Sequence, residues 1–194
     1  SCGKRCRVVI GKDTRRSSYM LESSLVSGLT ASGADAHIMH VTTTASVSYI
    51  TRTDGFDCGI MISASHNAFC DNGIKLIGPG GEKLDDDMVA ELEGYLDGVL
   101  PEGFEERLVS GADIGRSVDY VSGRNRYIGH LISLSVCSFK GFKVGLDCAN
   151  GSAWQIAKSV FDALGARTYL IGGEPDGLNI NSSGSTKPAA LCEL

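Results

Sequence analysis

The sequence predicts an α/β fold built on a mainly parallel sheet covered by helices. Short apolar runs alternate along the chain with stretches whose apolar residues recur every three or four positions. Cys58-Gly-Ile-Met-Ile62 is apolar at almost every position, as a parallel strand buried on both faces is. Strands separated by helices imply βαβ units and therefore a parallel sheet.

The elements follow in order. Arg7-Val-Val-Ile10 is the first strand, ending in Gly11. Leu21, Leu25 and Leu29 recur every four residues, which predicts a helix with Ser17 or Ser18 as N-cap and Gly33 beyond its end. Ala36 to Val41 reads as a second strand and Ser46 to Arg52 as a short helix. Cys58 to Ile62 is the third strand and Ile74 to Ile77 the fourth. From Glu82 to Glu106 ten Asp or Glu stand against one Lys, so the segment is strongly acidic. Within it Met88, Val89, Leu92, Tyr95 and Leu96 form a helical stripe expected to face the core, with Asp85 to Asp87 at the positive helix start. A second long helix is expected from Ser117 to about Ser133. A fresh βαβ pattern then begins: strand Lys143 to Asp147, turn Asn150-Gly151, helix Ala153 to Leu164, strand Thr168 to Ile171. The expected division is a first domain over 1–115, then a connector helix and second domain over 116–194. One β-α-β unit cannot bury a core alone, so the second domain is expected to be cut short.

The 194 residues are 42% hydrophobic and 21% charged, the balance of a globular chain rather than a disordered one. A net charge of -5 argues against nucleic-acid binding. No apolar run approaches the ~18–20 residues that cross a bilayer, so no membrane span is expected. Ser1-Cys-Gly-Lys-Arg-Cys-Arg7 lacks the apolar core of a signal peptide, and a cytoplasmic location is expected. The seven cysteines are odd in number and dispersed, which favours reduced thiols. Cys58, Cys137 and Cys148 sit in or beside apolar runs and are read as small packed hydrophobes. Cys2 and Cys6 lack a second metal-ligand pair at zinc spacing. The 25 glycines imply many tight turns and backbone held close to something small.

The densest polar segment is Ile62-Ser-Ala-Ser-His-Asn-Ala-Phe-Cys-Asp-Asn-Gly-Ile-Lys75. It begins at the carboxyl end of a predicted parallel strand, where α/β proteins bind ligands. Ser65, His66 and Asn67 offer a hydroxyl, an imidazole and an amide together. On spacing alone the segment is either an ordinary polar turn or a reactive loop whose hydroxyl carries a covalent group. No Gly-x-Ser-x-Gly elbow is present, which weakens a serine-hydrolase reading. Gly11-Lys-Asp-Thr-Arg15-Arg16 is a second strand-end loop whose cations suit a phosphate or carboxylate, or simply face solvent. It lacks Walker A spacing, and Gly78-Pro-Gly-Gly81 is a turn rather than a dinucleotide fingerprint. His37 and His40 fall in a predicted strand and are read as satisfied structural residues; His130 sits on the connector helix without a functional role. The sequons Asn150-Gly-Ser152 and Asn181-Ser-Ser183 are read as chance matches.

Taken together, Gly11-Lys-Asp-Thr-Arg15, Ser63-Ala-Ser-His-Asn67, Asp71-Asn-Gly-Ile-Lys75 and Asp147-Cys-Ala-Asn-Gly151 resemble the α-D-phosphohexomutase superfamily in order and spacing. Tyr19-Met-Leu-Glu22, Glu174-Pro-Asp-Gly-Leu-Asn-Ile-Asn181 and Gly184-Ser-Thr186 look most like its bacterial phosphoglucosamine mutase branch. The resemblance implies a mainly parallel mixed sheet with helices on both faces, forming the first of the family's four domains and the start of a similar second. It implies interconversion of 6-phospho and 1-phospho sugars through a phosphoserine and a bisphosphorylated intermediate, in service of cell-wall precursor synthesis. Ser65 would carry the phosphoryl group, which would itself be a ligand of Mg2+. Lys75 and Arg15 would assist proton transfer and orient phosphate, and His66 would hydrogen-bond the reacting groups. Asn67 and Lys12 would contact the phosphosugar. The resemblance leaves room for a homodimer.

The departures shape the remaining expectations. The family's Asp-Gly-Asp-Gly-Asp-Arg magnesium stretch lies beyond Leu194, so this chain alone is expected to have little mutase activity. Its sugar-selecting and phosphate-binding loops and its amino-terminal segment are missing as well. Ala68 stands where members usually have Pro, and Val41-Thr-Thr-Thr-Ala45 replaces a usually Pro-containing turn. The alternatives carried alongside are a phosphomannomutase or phosphoglucomutase, and a non-catalytic interaction module that keeps the fold.

Overall fold

Alternation along the first strand divides the core between two helical layers. In the computed structural model, which describes residues 5–99 and 108–182, β1 runs over Arg7–Lys12. Val8 and Ile10 pack with Ile60 and Ile62 against Leu21, Leu25 and Leu29 of α1 (Arg16–Ala31). Val9 faces the other way, into a cluster with Met39, Val47, Ile50, Phe56 and Met61. Val47 and Ile50 belong to α2 (Thr44–Thr53). Helices therefore cover both faces of the sheet, as the period-2 pattern of a doubly buried strand requires.

The sheet has five strands, including β2 (Asp35–Val41), β3 (Cys58–Ile62) and β4 (Ile74–Ile77), in the order β4-β3-β1-β2-β5. Its pairs are parallel except β3 with β4, which are antiparallel. A parallel return needs a long crossover, whereas the segment from 63 to 73 simply turns back. Gly59 is fixed by close packing: a Cβ there would lie 2.2 Å from Thr51 Oγ1 and 3.2 Å from Val47 Cγ1. Gly11, at a register shift between Ile10 and Lys12, likewise lets Thr42 and Val47 approach the strand.

Several expectations need correction. Ser117–Asp119 is not helical but forms β5, parallel to Ala36–Ile38 of β2. The strand is anchored by Arg116, whose backbone N–H and guanidinium each bond Asp35 at 2.8 Å. The long helix, α4, starts only at Val121 and ends at Ser133. Neither Ser17 nor Ser18 caps α1; Arg15 is the cap residue, and the buried Ser18 donates its hydroxyl to Asp13 at 2.6 Å. The acidic α3 (Asp86–Leu96) is capped by Asp85 as expected, but none of its residues is buried. Val89, Leu92 and Leu96 of its apolar stripe, with Ile74 and Leu76 of β4, line an open groove of about 820 Å³ instead of the core. Cys137 is exposed rather than packed, while Cys58 is half-buried and Cys148 buried.

His37 packs edge-on against Phe56 and Tyr120, with ring centroids 4.9 and 5.3 Å away. Its Nδ1 has no hydrogen-bond partner among the described residues, so packing rather than bonding fixes it. His130 stacks on Tyr49. The second unit holds β6 (Lys143–Asp147) and β7 (Arg167–Ile171), parallel to each other, with α5 (Trp154–Ala163) between them in sequence. Because β5 completes the first sheet, we place the division between the units after Asp119. Cys2, Cys192, Gly184-Ser-Thr186 and the end of the acidic segment lie outside the described residues.

Two outcomes follow for stability. Gly59→Ala should cost about 1–3 kcal/mol through overpacking, measured by denaturant unfolding. Asp35, held below the usual carboxylate range by its hydrogen bonds from Arg116, contributes stability that is complete above about pH 4, its unfolded value, and is lost as pH falls through the lowered folded value. Asp35→Asn should therefore be less stable than the parent at neutral pH, with a gap that narrows during acid titration.

Candidate active site

The carboxyl ends of β1, β2 and β3 converge on one rim of the sheet, and a cleft of about 450 Å³ opens there against the second unit. The first unit contributes Asp13 after β1, Thr43 to Ala45 at the start of α2, and Ser63, Ser65 and His66 after β3. Lys75 reaches the same rim because antiparallel β4 begins where β3 ends, pairing Ile74 with Ile62. The second unit contributes Cys148, Ala149, Gly151 to Ala153, Ile180 and Asn181. Both α2 and α5 begin at this cleft, so two positive helix ends suit it to an anion.

Ser65 is exposed and adopts φ 58°, a left-handed conformation that costs a serine on the order of 1 kcal/mol. Its hydroxyl stands 3.4 Å from His66 Nδ1, and its N–H donates to Ser63 Oγ at 3.1 Å. Lys75 is half-buried, and its ammonium has no ion-pair or hydrogen-bond partner among the described residues. Hydroxyl, imidazole and free ammonium thus face one cavity.

Arg15 lies beneath this group. It is fully buried, paired with the carboxylate of Asp13, and donates through Nη2 to the carbonyls of Ser65 (3.2 Å) and Asn67 (2.7 Å). Asp13 also accepts from Arg15 N–H and Ser18 Oγ. Arg15 therefore supports the loop and does not line the cleft. Asn67 is exposed at the loop's edge, with its amide donating to Asp71 at 3.3 Å. Lys12 is elsewhere: it shares the α1 face of β1 with Val8 and Ile10, pairs with Glu22 and covers the Tyr19 ring at 3.9 Å.

Burial pushes the Cys148 thiol up, with Asp147 adding to the effect, so it meets the cleft as a neutral apolar wall. The described residues contain no group of three or more His, Cys, Asp or Glu able to hold a metal ion. Asp13 already spends both oxygens on Arg15 and Ser18, so the described part of the cleft does not by itself fit Mg2+. The sequence reading missed Asn181, whose side-chain amide donates to His66 O at 2.9 Å, and Thr14, which bonds Asn150 O at 2.7 Å. Their sequence signal is membership of Gly11–Arg15 and Glu174–Asn181, two of the stretches that carry the resemblance, far apart in the chain.

Residues 1–99 match phosphoglucomutase/phosphomannomutase, alpha/beta/alpha domain I. The chain belongs to this family. It is 62% identical to a phosphoglucosamine mutase from Lachnospira eligens over 98% of its own length, and 64% identical to one from Lachnoclostridium phytofermentans over 94%. It spans 42% and 40% of those relatives, about two fifths of their length. A solved phosphoglucomutase/phosphomannomutase family protein from Burkholderia thailandensis shares the fold, with a TM-score of 0.75 at 21% identity over 97% of this chain and 41% of that one. The family's domain I is the part that holds the Ser65 loop and the buried arginine.

Arg15 and Lys75 should separate cleanly on substitution. Arg15→Met strands a buried carboxylate and should cost about 3–5 kcal/mol of stability. Lys75→Met, at a half-exposed cation without a partner among the described residues, should shift stability by less than about 0.5 kcal/mol. Parallel denaturant titrations check both.

Proposed function

We propose that this chain is part of a cytoplasmic phosphoglucosamine mutase, interconverting glucosamine 6-phosphate and glucosamine 1-phosphate for cell-wall precursor synthesis. The observation that carries the reading is Ser65: an exposed hydroxyl in a left-handed turn at the carboxyl rim of the sheet, with His66 and Lys75 beside it. The names of the two relatives that are more than 60% identical support the choice of sugar.

In this reading Ser65 Oγ carries a phosphoryl group. A sugar hydroxyl attacks its phosphorus, the Ser65 O–P bond breaks, and the sugar becomes a bisphosphate. The hydroxyl's proton ends on the departing serine oxygen, and His66 Nδ1 stands within reach of that oxygen. The bisphosphate turns over, Ser65 Oγ takes back the other phosphoryl group, and the second isomer leaves. A seryl phosphate brings about −1.5 to −2 charges. The Lys75 ammonium and the positive starts of α2 and α5 offset that charge as it moves between oxygens. Lys12 has no part in this scheme, and Arg15 acts by holding the carbonyls of Ser65 and Asn67. The family's metal is proposed to be Mg2+, with the seryl phosphoryl group among its ligands.

The test is direct. Full-length protein isolated in its active form should carry one phosphoryl group, mapped to Ser65 by peptide mass spectrometry, and Ser65→Ala should abolish mutase turnover. Phosphate on another residue, or normal turnover by Ser65→Ala, would overturn the assignment. The 194-residue chain alone should give no turnover at ordinary enzyme rates in a coupled assay with Mg2+.

A further inference from the structure

Three consecutive carbonyls follow the strand that delivers Ser65, and each accepts a side-chain hydrogen bond. Those of Ser65 and Asn67 receive the two bonds of the buried Arg15 guanidinium, from within the first unit. The one between them, His66 O, receives Asn181 Nδ2 at 2.9 Å, from the second unit and across 115 residues of chain. The chain turns through these residues, with Ser65 at φ 58°, and Arg15 reaches the first and third carbonyls while the middle one is met from the other unit. Without Asn181 the middle peptide would be the loose one, and His66 would turn with it.

Asn181 is itself held firmly. Its backbone has φ 55°, a conformation asparagine tolerates better than other branched or bulky residues, and its N–H donates to Ala149 O at 2.7 Å. Ala149 is in turn left-handed at φ 52°, and neighbouring Asn150 accepts Glu174 N–H and donates to Asn179 O. The second unit thus presents one amide from a braced turn, aimed at one carbonyl.

We propose that Asn181 is a positioning residue of the second unit that sets the His66 imidazole at Ser65 Oγ by fixing the His66 carbonyl. Ring and carbonyl share the Cα of residue 66, so a shift of that Cα allowed by loss of the amide bond carries Nδ1 with it relative to Oγ. The present separation of 3.4 Å is at the outer limit of a hydrogen bond, where a small rotation decides whether a proton can pass. The inference rests on the phosphoserine reading given above.

The experiment is a double-mutant cycle in the full-length protein. Asn181→Asp keeps size and tolerates the left-handed backbone but removes the N–H donor. Asn181→Gly keeps the backbone conformation and removes the side chain, and it carries the test if the aspartate variant does not fold. Either should lower kcat about tenfold to a hundredfold with KM changed less than about threefold, since misplacement by an ångström costs in that range. In a His66→Ala background the same substitution should change kcat by less than about twofold, because there is no ring left to position. Unchanged kcat in the single variants would overturn the proposal, and so would a full additive loss in the His66→Ala background. Ser65→Ala run alongside keeps the two readings apart: activity without Ser65 removes the phosphoserine assignment, whereas an inactive Ser65→Ala with additive Asn181 variants removes only the positioning role.

Discussion

The buried pair between Asp13 and Arg15 is the interaction on which the cleft depends. A guanidinium taken completely out of water needs its charge matched, although Arg15 Nε has no hydrogen-bond partner among the described residues. Asp13 supplies the charge, and the loop carbonyls at 65 and 67 take two of the bonds. The same carboxylate draws in the Ser18 hydroxyl, and Ser17 and Ser18 in turn hold the Asn72 amide at 2.8 and 3.0 Å. Both ends of the segment from Ser65 to Asn72 are therefore tied to the first turn of α1. That tie is what sustains a serine at positive φ, because the turn has no freedom to relax into a commoner conformation.

Around this pair the division of labour among cations becomes intelligible. The sequence holds Lys12, Arg15 and Lys75 near strand ends, and by residue type all three suit a phosphate. Burial and neighbours sort them. Lys12 is matched by Glu22 and Tyr19, Arg15 by Asp13, and only Lys75 of the three meets the cavity with its charge uncommitted by any described residue. Of the three, Lys75 is the one placed to meet an anion in the cleft.

Much of this could be read before any coordinates. β3 and β4 coincide with their apolar runs because hydrophobic patterning is a local property. β5 could not be read that way: its three residues hold one apolar side chain, and they become a strand only because β2 leaves an edge open some 80 positions earlier in the chain. Lys12 has a motif that suits a ligand, but its place on the strand gives it other partners, Glu22 and Tyr19. Counting by twos from Val8 and Ile10 puts it on the α1 face. Ser65, His66 and Lys75 were legible as a cluster within fourteen residues. Asn181 was not, since nothing local says that a turn in one unit ends against a carbonyl in another. The apolar stripe of α3 was legible as a stripe but not as an unburied one, because periodicity gives a helix's face and not what covers it.

Among the described residues, the bonds that join the units at the cleft include Thr14 to Asn150 O, Arg16 N–H to Gly177 O, and Asn181 to His66 O. Each has one end in either unit, so none survives a hinge motion that parts them. Domain openings of this kind run on microsecond to millisecond timescales. If the units parted, the carbonyls at 65 and 67 would keep their Arg15 donor and the one at 66 would be left to water. On the positioning role proposed above, the imidazole beside Ser65 would be set only while the two units are together.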